Sequence, residues 1–201
     1  MKPAIALGLA LAVLAGCAEK GKESPLSEIE AAVYRPTGAP ALTLFTMVNN
    51  NSGAGAHSAL LVEGSQAVLF DPAGSFIHPQ VPERGDVLYG MSPRWVELYK
   101  SAHARETFHV VTQRIPVTPA QAQTALQLVQ SRGSVPSAMC ASATSGVLQQ
   151  IPGFEGIRQG YYPLKLMEQL EAMPGVVTDR YYENDSGDIT DGVRALPQQV
   201  E

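Results

Sequence analysis

HSALLVEGSQAVLFD, residues His57 to Asp71, reads as two short apolar strands joined by a tight connection. HSALLV (57–62) and QAVLFD (66–71) are rich in residues that suit a pleated, buried surface, and Glu63-Gly64-Ser65 between them has a usual hairpin length. With Val62 opposite Gln66, His57 falls directly opposite Asp71. Opposed residues carry their Cβ atoms about 5 Å apart on one face. A slip of one residue would send the two side chains to opposite faces. The hairpin therefore sets an antiparallel sheet and places an imidazole beside a carboxylate.

Outward from the hairpin the pattern is consistent with that sheet. Before it, Ala41 to Val48 (ALTLFTMV) is a further strand, followed by the Gly-rich loop Asn49 to Ala56. After it, Pro72-Ala73-Gly74 ends the hairpin, and Ser75 to Gly90, with Pro79, Pro82 and Gly85, is loop-like. Ser92-Pro93 starts a helix through Lys100. Thr107 to Arg114 is a strand, and Thr118-Pro119-Ala120-Gln121 is a capping-box start to a helix that Gly133 ends. Pro136 and Ser137 lead into a helix over Ala141 to Gln149, Tyr162-Pro163 opens another through Met173, and Val176 to Tyr182 is a last strand. Strands, then helices, then a late strand give an α+β fold with a small, largely antiparallel sheet and packed helices.

The second stretch of consequence is SVPSAMCASATSGVLQQ, Ser134 to Gln150. Cys140 stands at the start of its helix, where the dipole and free N–H groups favour a thiolate. The small residues after it, Ala141 to Gly146, let that helix lie close to a sheet. A buried, inert cysteine is the plain alternative.

The 201 residues are 45% hydrophobic and 16% charged with a net charge of -5, and no Lys/Arg run argues for nucleic acid. Met1 to Cys17 (MKPAIALGLALAVLAGC) has a short positive start, an apolar run from Ala4 to Leu14, and Leu14-Ala15-Gly16-Cys17 at its end, the pattern of a secretory signal. It resembles the lipobox of bacterial lipoproteins. The resemblance implies cleavage before Cys17, lipidation of Cys17 and anchoring to a membrane. It also implies an envelope location facing the periplasm, with the outer membrane favoured by Ala18 where the host has one. Two or three chains hold firmly, at about 0.8 kcal/mol per buried CH₂. Lipidation would leave Cys140 without a disulfide partner, unusual for an exported chain unless the thiol is used. The expected organisation is a signal over 1–16, an anchor and tether over 17–36 with Ser27 and Glu30 shaped like a capping box, one domain over 37–183, and a polar, frayed tail over 184–201.

Cys140, His57 and Asp71 supply a nucleophile, a base and a group to orient the base. His109, on a strand, is the rival base; His78 and His103 lie in loop or helix-end contexts that read as solvated. The four histidines show no HxH or HExxH spacing, so a metal-dependent hydrolase is only the third and weakest reading, and neither a metal nor a cofactor is called for. The Cys140 backbone N–H is the expected oxyanion donor, and Tyr89 and Ser142 are the possible side-chain donors.

A strand that begins with His (HSALLV), a polar residue on the next hairpin strand (FDPAG) and a late Cys at a helix start (MCASATSGVL) resemble the circularly permuted papain-like hydrolases. These are the permuted relatives of the NlpC/P60 cysteine peptidases and include the lecithin:retinol acyltransferase-like enzymes. The resemblance spans roughly Ala41 to Tyr182. It implies His57 as base, Asp71 as third residue and Cys140 as nucleophile, acting on amide or ester bonds of a cell-wall peptide or an acyl-lipid substrate. In the acyltransferase-like branch Asn precedes the Cys and His is the third residue; here Met139 and Asp71 stand in those places. The alternative is a binding or structural lipoprotein on the same fold that carries out no chemistry.

Overall fold

ALTLFTMV is apolar without alternation because the strand it forms is buried on both faces. In the computed structural model, which describes residues 22–199, helix α1 (Leu26–Ala31) precedes this strand, β1 (Ala41–Asn49). There follow β2 (Gly55–Glu63), β3 (Ala67–Phe70), β4 (Glu83–Arg84), β5 (Val87–Tyr89), α2 (Pro93–His103), β6 (Phe108–Pro116) and α3 (Pro119–Arg132). The chain ends with α4 (Cys140–Leu148), α5 (Pro163–Glu171), β7 (Val177–Tyr181) and α6 (Ile189–Ala195). Among the described residues the strands form one seven-stranded antiparallel sheet, ordered β4-β5-β3-β2-β1-β6-β7. The fold is α+β, as expected.

Alternate residues of the central strands feed two core layers. Leu42, Leu44, Leu60, Val62 and Phe70 pack with Leu126 and Val129 of α3, Ala143 and Val147 of α4, and Leu166 of α5. Phe45, Met47, Ala59, Leu61 and Leu69 pack on the other face with Trp95, Leu98, Tyr99 and Ala102 of α2. Each Leu or Phe fully withdrawn from water contributes about 1.5–3 kcal/mol before chain entropy is counted. The helix starts that the sequence marks are the ones built. Ser92 Oγ accepts from the Trp95 N–H, and Thr118 and Gln121 make both bonds of a capping box.

Four sequence expectations need correction. The hairpin register is Val62 opposite Val68, not Gln66, and the turn is Gly64–Gln66. β2 continues through Glu63, whose carboxylate pairs with Arg114 across β1, and the turn starts one residue later. The offset is two residues, so every side chain keeps its face. Ser75 to Gly90 is not all loop: β4 and β5 lie there, two and three residues long, too short to show a period. α1 starts at Leu26 with no side-chain cap, so Ser27 and Glu30 form no capping box. Pro136 and Ser137 belong to a turn, closed by the Met139 N–H on the Pro136 carbonyl, and α4 begins at Cys140.

The packed body also exceeds 37–183 at both ends. Ile29 of α1 is buried, and Ser24 exchanges hydrogen bonds with Glu83 on β4. The expected frayed tail carries α6, which docks on α2 with Gly192 against the Ala102 carbonyl and Leu196 buried. No described helix is long and apolar enough to cross a membrane. The expected signal over 1–16 and the expected lipidation site Cys17 lie outside the described residues.

Candidate functional site

The site lies where β2 outruns its neighbour. β3 pairs with β2 only from Glu63 back to Leu60, so Ser58 and His57 have no β3 partner beside them. One residue further, the β1–β2 ladder breaks register between Met47 and Val48, leaving Ala56 as an extra residue. Such a bulge bends the strand and re-aims the side chains next to it. His57 points to the α2 face, in step with Ala59 and Leu61. α4 packs on the other face. The open stretch of β2 lets the two meet: the Ser58 N–H, unused by a β3 partner, donates to the Cys140 sulfur, and the His57 ring hydrogen-bonds to the same thiol.

Asp71 completes the array. His57 Nε2 lies 2.6 Å from Asp71 Oδ1, which leaves Nδ1 as the ring nitrogen for the thiol. The Tyr99 hydroxyl donates to the same Oδ1 at 2.8 Å. Behind it the His103 Nδ1–H donates to the Tyr99 carbonyl at 2.8 Å, and the His103 ring lies parallel to that of His57 with centroids 6.2 Å apart. Phe76 covers Tyr99 and His103. Asp71 is almost fully buried, whereas the His57 side chain retains 17% exposure. Gly74 is required here: a Cβ at that position would stand 2.0 Å from Asp71 Oδ2.

Protonation follows from these contacts. Burial disfavours a charged His57 ring, but the charge and hydrogen bond of Asp71, and then the thiol, outweigh it and push the pKa up to about 10. Burial also works against the Asp71 carboxylate, yet His57, then His103 and Tyr99, hold it below the usual range. For Cys140 burial raises the pKa. The His57 hydrogen bond and charge, joined by the Ser58 and Ala141 N–H groups, overcome it and hold the thiol below its ordinary value. Both shifts run in the direction of a thiolate beside an imidazolium. His103 goes the other way: burial pushes it down to about 4, with His57 adding repulsion against the attraction of Asp71. It serves as a neutral support.

The remaining candidates fall elsewhere. His109 alternates to the face opposite His57 on β6; its Nδ1 is 2.7 Å from Asn50 Oδ1 and its ring stacks on Tyr182. His78 and His103 are not solvated but buried, His78 against Trp95 with Nε2 donating to the Pro197 carbonyl. Tyr89 sits in the core layer shared with α3, α4 and α5, its hydroxyl hydrogen-bonded to Gln130. The Ser142 hydroxyl accepts from Gln159 Nε2. The Cys140 N–H, at the first position of α4, has no intrahelical acceptor and is the amide nearest the sulfur along the chain. The sequence does not single out Tyr99, and it presents His103 as solvated where the structure places it behind Asp71. Their signal is an i, i+4 pair on the apolar stripe of α2, alongside Trp95 and Leu98.

Cys140, His57 and Asp71 line neither of two surface cavities. One, of about 330 Å³, is lined by Tyr34, Phe45, Met91 and Lys100 on the α2 face. The other, of about 830 Å³, is bounded by Phe154, Ile157, Gln159 and Tyr162. Among the described residues no group of three His, Cys, Asp or Glu side chains is arranged to hold a metal ion. Backbone strain marks the approach to Cys140: Ala138 has φ 65°, a conformation that costs a residue with a Cβ about 1–2 kcal/mol. The chain matches none of the protein-family models, curated proteins or solved structures with which it was compared.

Proposed function

We propose that the protein is a cysteine hydrolase of the bacterial envelope, lipid-anchored through Cys17, that cleaves amide or ester bonds with Cys140, His57 and Asp71. The observation that carries the proposal is the aligned thiol, imidazole and buried carboxylate at the open edge of β2. The architecture is in keeping with a permuted papain-like enzyme: the base comes first in the chain, on a strand, and the nucleophile last, at a helix start.

The residues define each step. The Cys140 thiolate attacks the substrate carbonyl carbon, and the charge developing on oxygen falls to the Cys140 N–H. The His57 Nδ1 proton passes to the leaving nitrogen or oxygen as its bond to carbon breaks, and a thioester remains. Water then adds to the thioester carbonyl and gives a proton to His57. The C–S bond breaks, a carboxylic acid leaves, and thiolate and imidazolium are restored. Asp71 keeps the ring oriented and favours its charged form, with Tyr99 fixing the carboxylate. A peptide of the cell wall or an acylated lipid is the substrate class.

Iodoacetamide alkylation tests the chemistry. Cys140 should react rapidly near pH 6, where an ordinary thiol is slow, and the rate should fall steeply in His57→Ala. Slow alkylation indifferent to His57 would favour the alternative, a binding or structural lipoprotein. Turnover of peptide amides against acyl esters by the full chain, silent in Cys140→Ser, then identifies the bond.

A further inference from the structure

We infer that Asp86 is a positioning residue: its carboxylate ties the segment that carries Asp71 to the segment that delivers Cys140, and so sets the alignment of thiol, imidazole and carboxylate. The inference rests on the hydrolase proposed above and adds to it a residue outside the three that react. Asp86 lies between β4 and β5, 5% exposed. A single oxygen, Oδ2, accepts from the Ala73 N–H at 3.0 Å and from the Val135 N–H at 3.0 Å. Ala73 is two residues after Asp71, and Val135 is five before Cys140. The Asp86 main chain joins in, since its carbonyl accepts from the Asp71 N–H at 2.8 Å. One buried residue thus holds Asp71 through its backbone, the turn after Asp71, and the run into α4.

The backbone supports a built role. Among the described residues three that are not glycine have positive φ: Ala73 at 56°, Asp86 at 61° and Ala138 at 65°. All three lie on the parts just named: the turn after Asp71, the tie itself, and the last bend before Cys140. Strained conformations persist only where surrounding contacts over-determine them, and they collect where geometry is used. At Ala73 the strained residue is itself a donor to Asp86. A buried carboxylate that merely capped a local turn would not also bond a segment 49 residues away.

Because both bonds go to one oxygen, Asp86→Asn can keep both through its amide oxygen, whereas Asp86→Ala keeps neither. The test uses the full chain and follows alkylation of Cys140 by iodoacetamide from pH 5 to pH 10, with denaturant unfolding alongside. Asp86→Ala should unfold cooperatively at lower denaturant, and its alkylation near pH 6 should fall by about tenfold or more as the thiol returns towards its ordinary value. Asp86→Asn should restore the wild-type profile. If Asp86→Ala does not fold, Asp86→Glu takes its place, since it retains the charge but shifts the acceptor by a methylene; the same loss is expected. Lower stability with an unchanged pH profile, in either variant, would overturn the inference. A wild-type protein whose thiol shows no enhanced reactivity near pH 6 would overturn both this and the hydrolase, and is recognised because it needs no variant.

Discussion

Gly74→Ala tests whether the Asp71 carboxylate sets the proton affinity of His57. The added methyl would meet Asp71 Oδ2 at 2.0 Å and Cγ at 2.2 Å, against about 3.3 Å for a normal carbon–oxygen contact. Gly74 has an ordinary negative φ, so alanine brings no backbone penalty of its own. The carboxyl group must retreat by about 1 Å, and the 2.6 Å bond to His57 Nε2 cannot survive that. A hydrogen bond to a charged partner contributes about 1.5–3 kcal/mol, which converts to a tenfold to hundredfold loss in the proton affinity of the ring. The Cys140 thiolate depends on that charge, so alkylation near pH 6 should drop by a similar factor while alkylation at pH 10 changes little. Stability should respond with a definite sign. His57 has its pKa raised on folding from 6.5 to about 10, so its contribution is complete below 6.5 and is lost as pH rises towards 10. Denaturant unfolding should show this decline in the wild type and a flatter profile in Gly74→Ala. An unchanged alkylation profile, or an equal loss at every pH, would refute the assignment of Asp71.

Tyr99→Phe removes the hydroxyl that donates to Asp71 Oδ1; about 1.5–3 kcal/mol of stability should go, read by urea unfolding, with slower alkylation near pH 6. His103 is held neutral by burial with its pKa lowered to about 4, so its contribution is present above 6.5 and is lost as pH falls towards 4. His103→Phe should flatten that acid limb of the stability profile, measured by circular dichroism. Gly192→Ala sets a methyl 2.3 Å from the Ala102 carbonyl and should cost about 1–3 kcal/mol by lifting α6 from α2, seen as faster proteolysis after Glu183. Thr118→Ala breaks the capping box of α3 and should cost about 1 kcal/mol without touching the thiol.

The hairpin was legible because its information is local: two apolar runs, a glycine between them, and a polar residue at each far end. An error of two residues in register left the faces intact, so His57 and Asp71 were paired for a reason that outlasts the error. Cys140 was legible as the one thiol after Cys17, at a helix start. Other parts depended on distant contacts and left no local trace. β4 and β5 exist because the edge of β3 needs partners, and neither is long enough to show a period. α6 reads as polar because its apolar residues are few: Ile189 and Val193 pack, only partly buried, on the α2-side layer, Gly192 lies against the Ala102 carbonyl, and Leu196 is buried just after the helix. His78 and His103 read as solvated from their neighbours in sequence, yet Trp95 packs on the first, and Phe76 and His57, both from outside α2, lie beside the second. Asp86 could not have been singled out from sequence at all, because its two donors are 13 residues before it and 49 after it.

The meeting of the two faces at the open edge of β2 has a consequence for the newly made polypeptide. The sulfur belongs to a helix on one side of the sheet, the imidazole to the other, and 83 residues separate them in the chain. Until the strands have paired and both layers have closed, the cysteine is as sluggish as any free thiol near neutral pH. Reactivity thus arrives with maturation. A chain still unfolded carries a thiol of ordinary reactivity, and under the hydrolase proposed above a rise in its alkylation rate would report that both layers have closed.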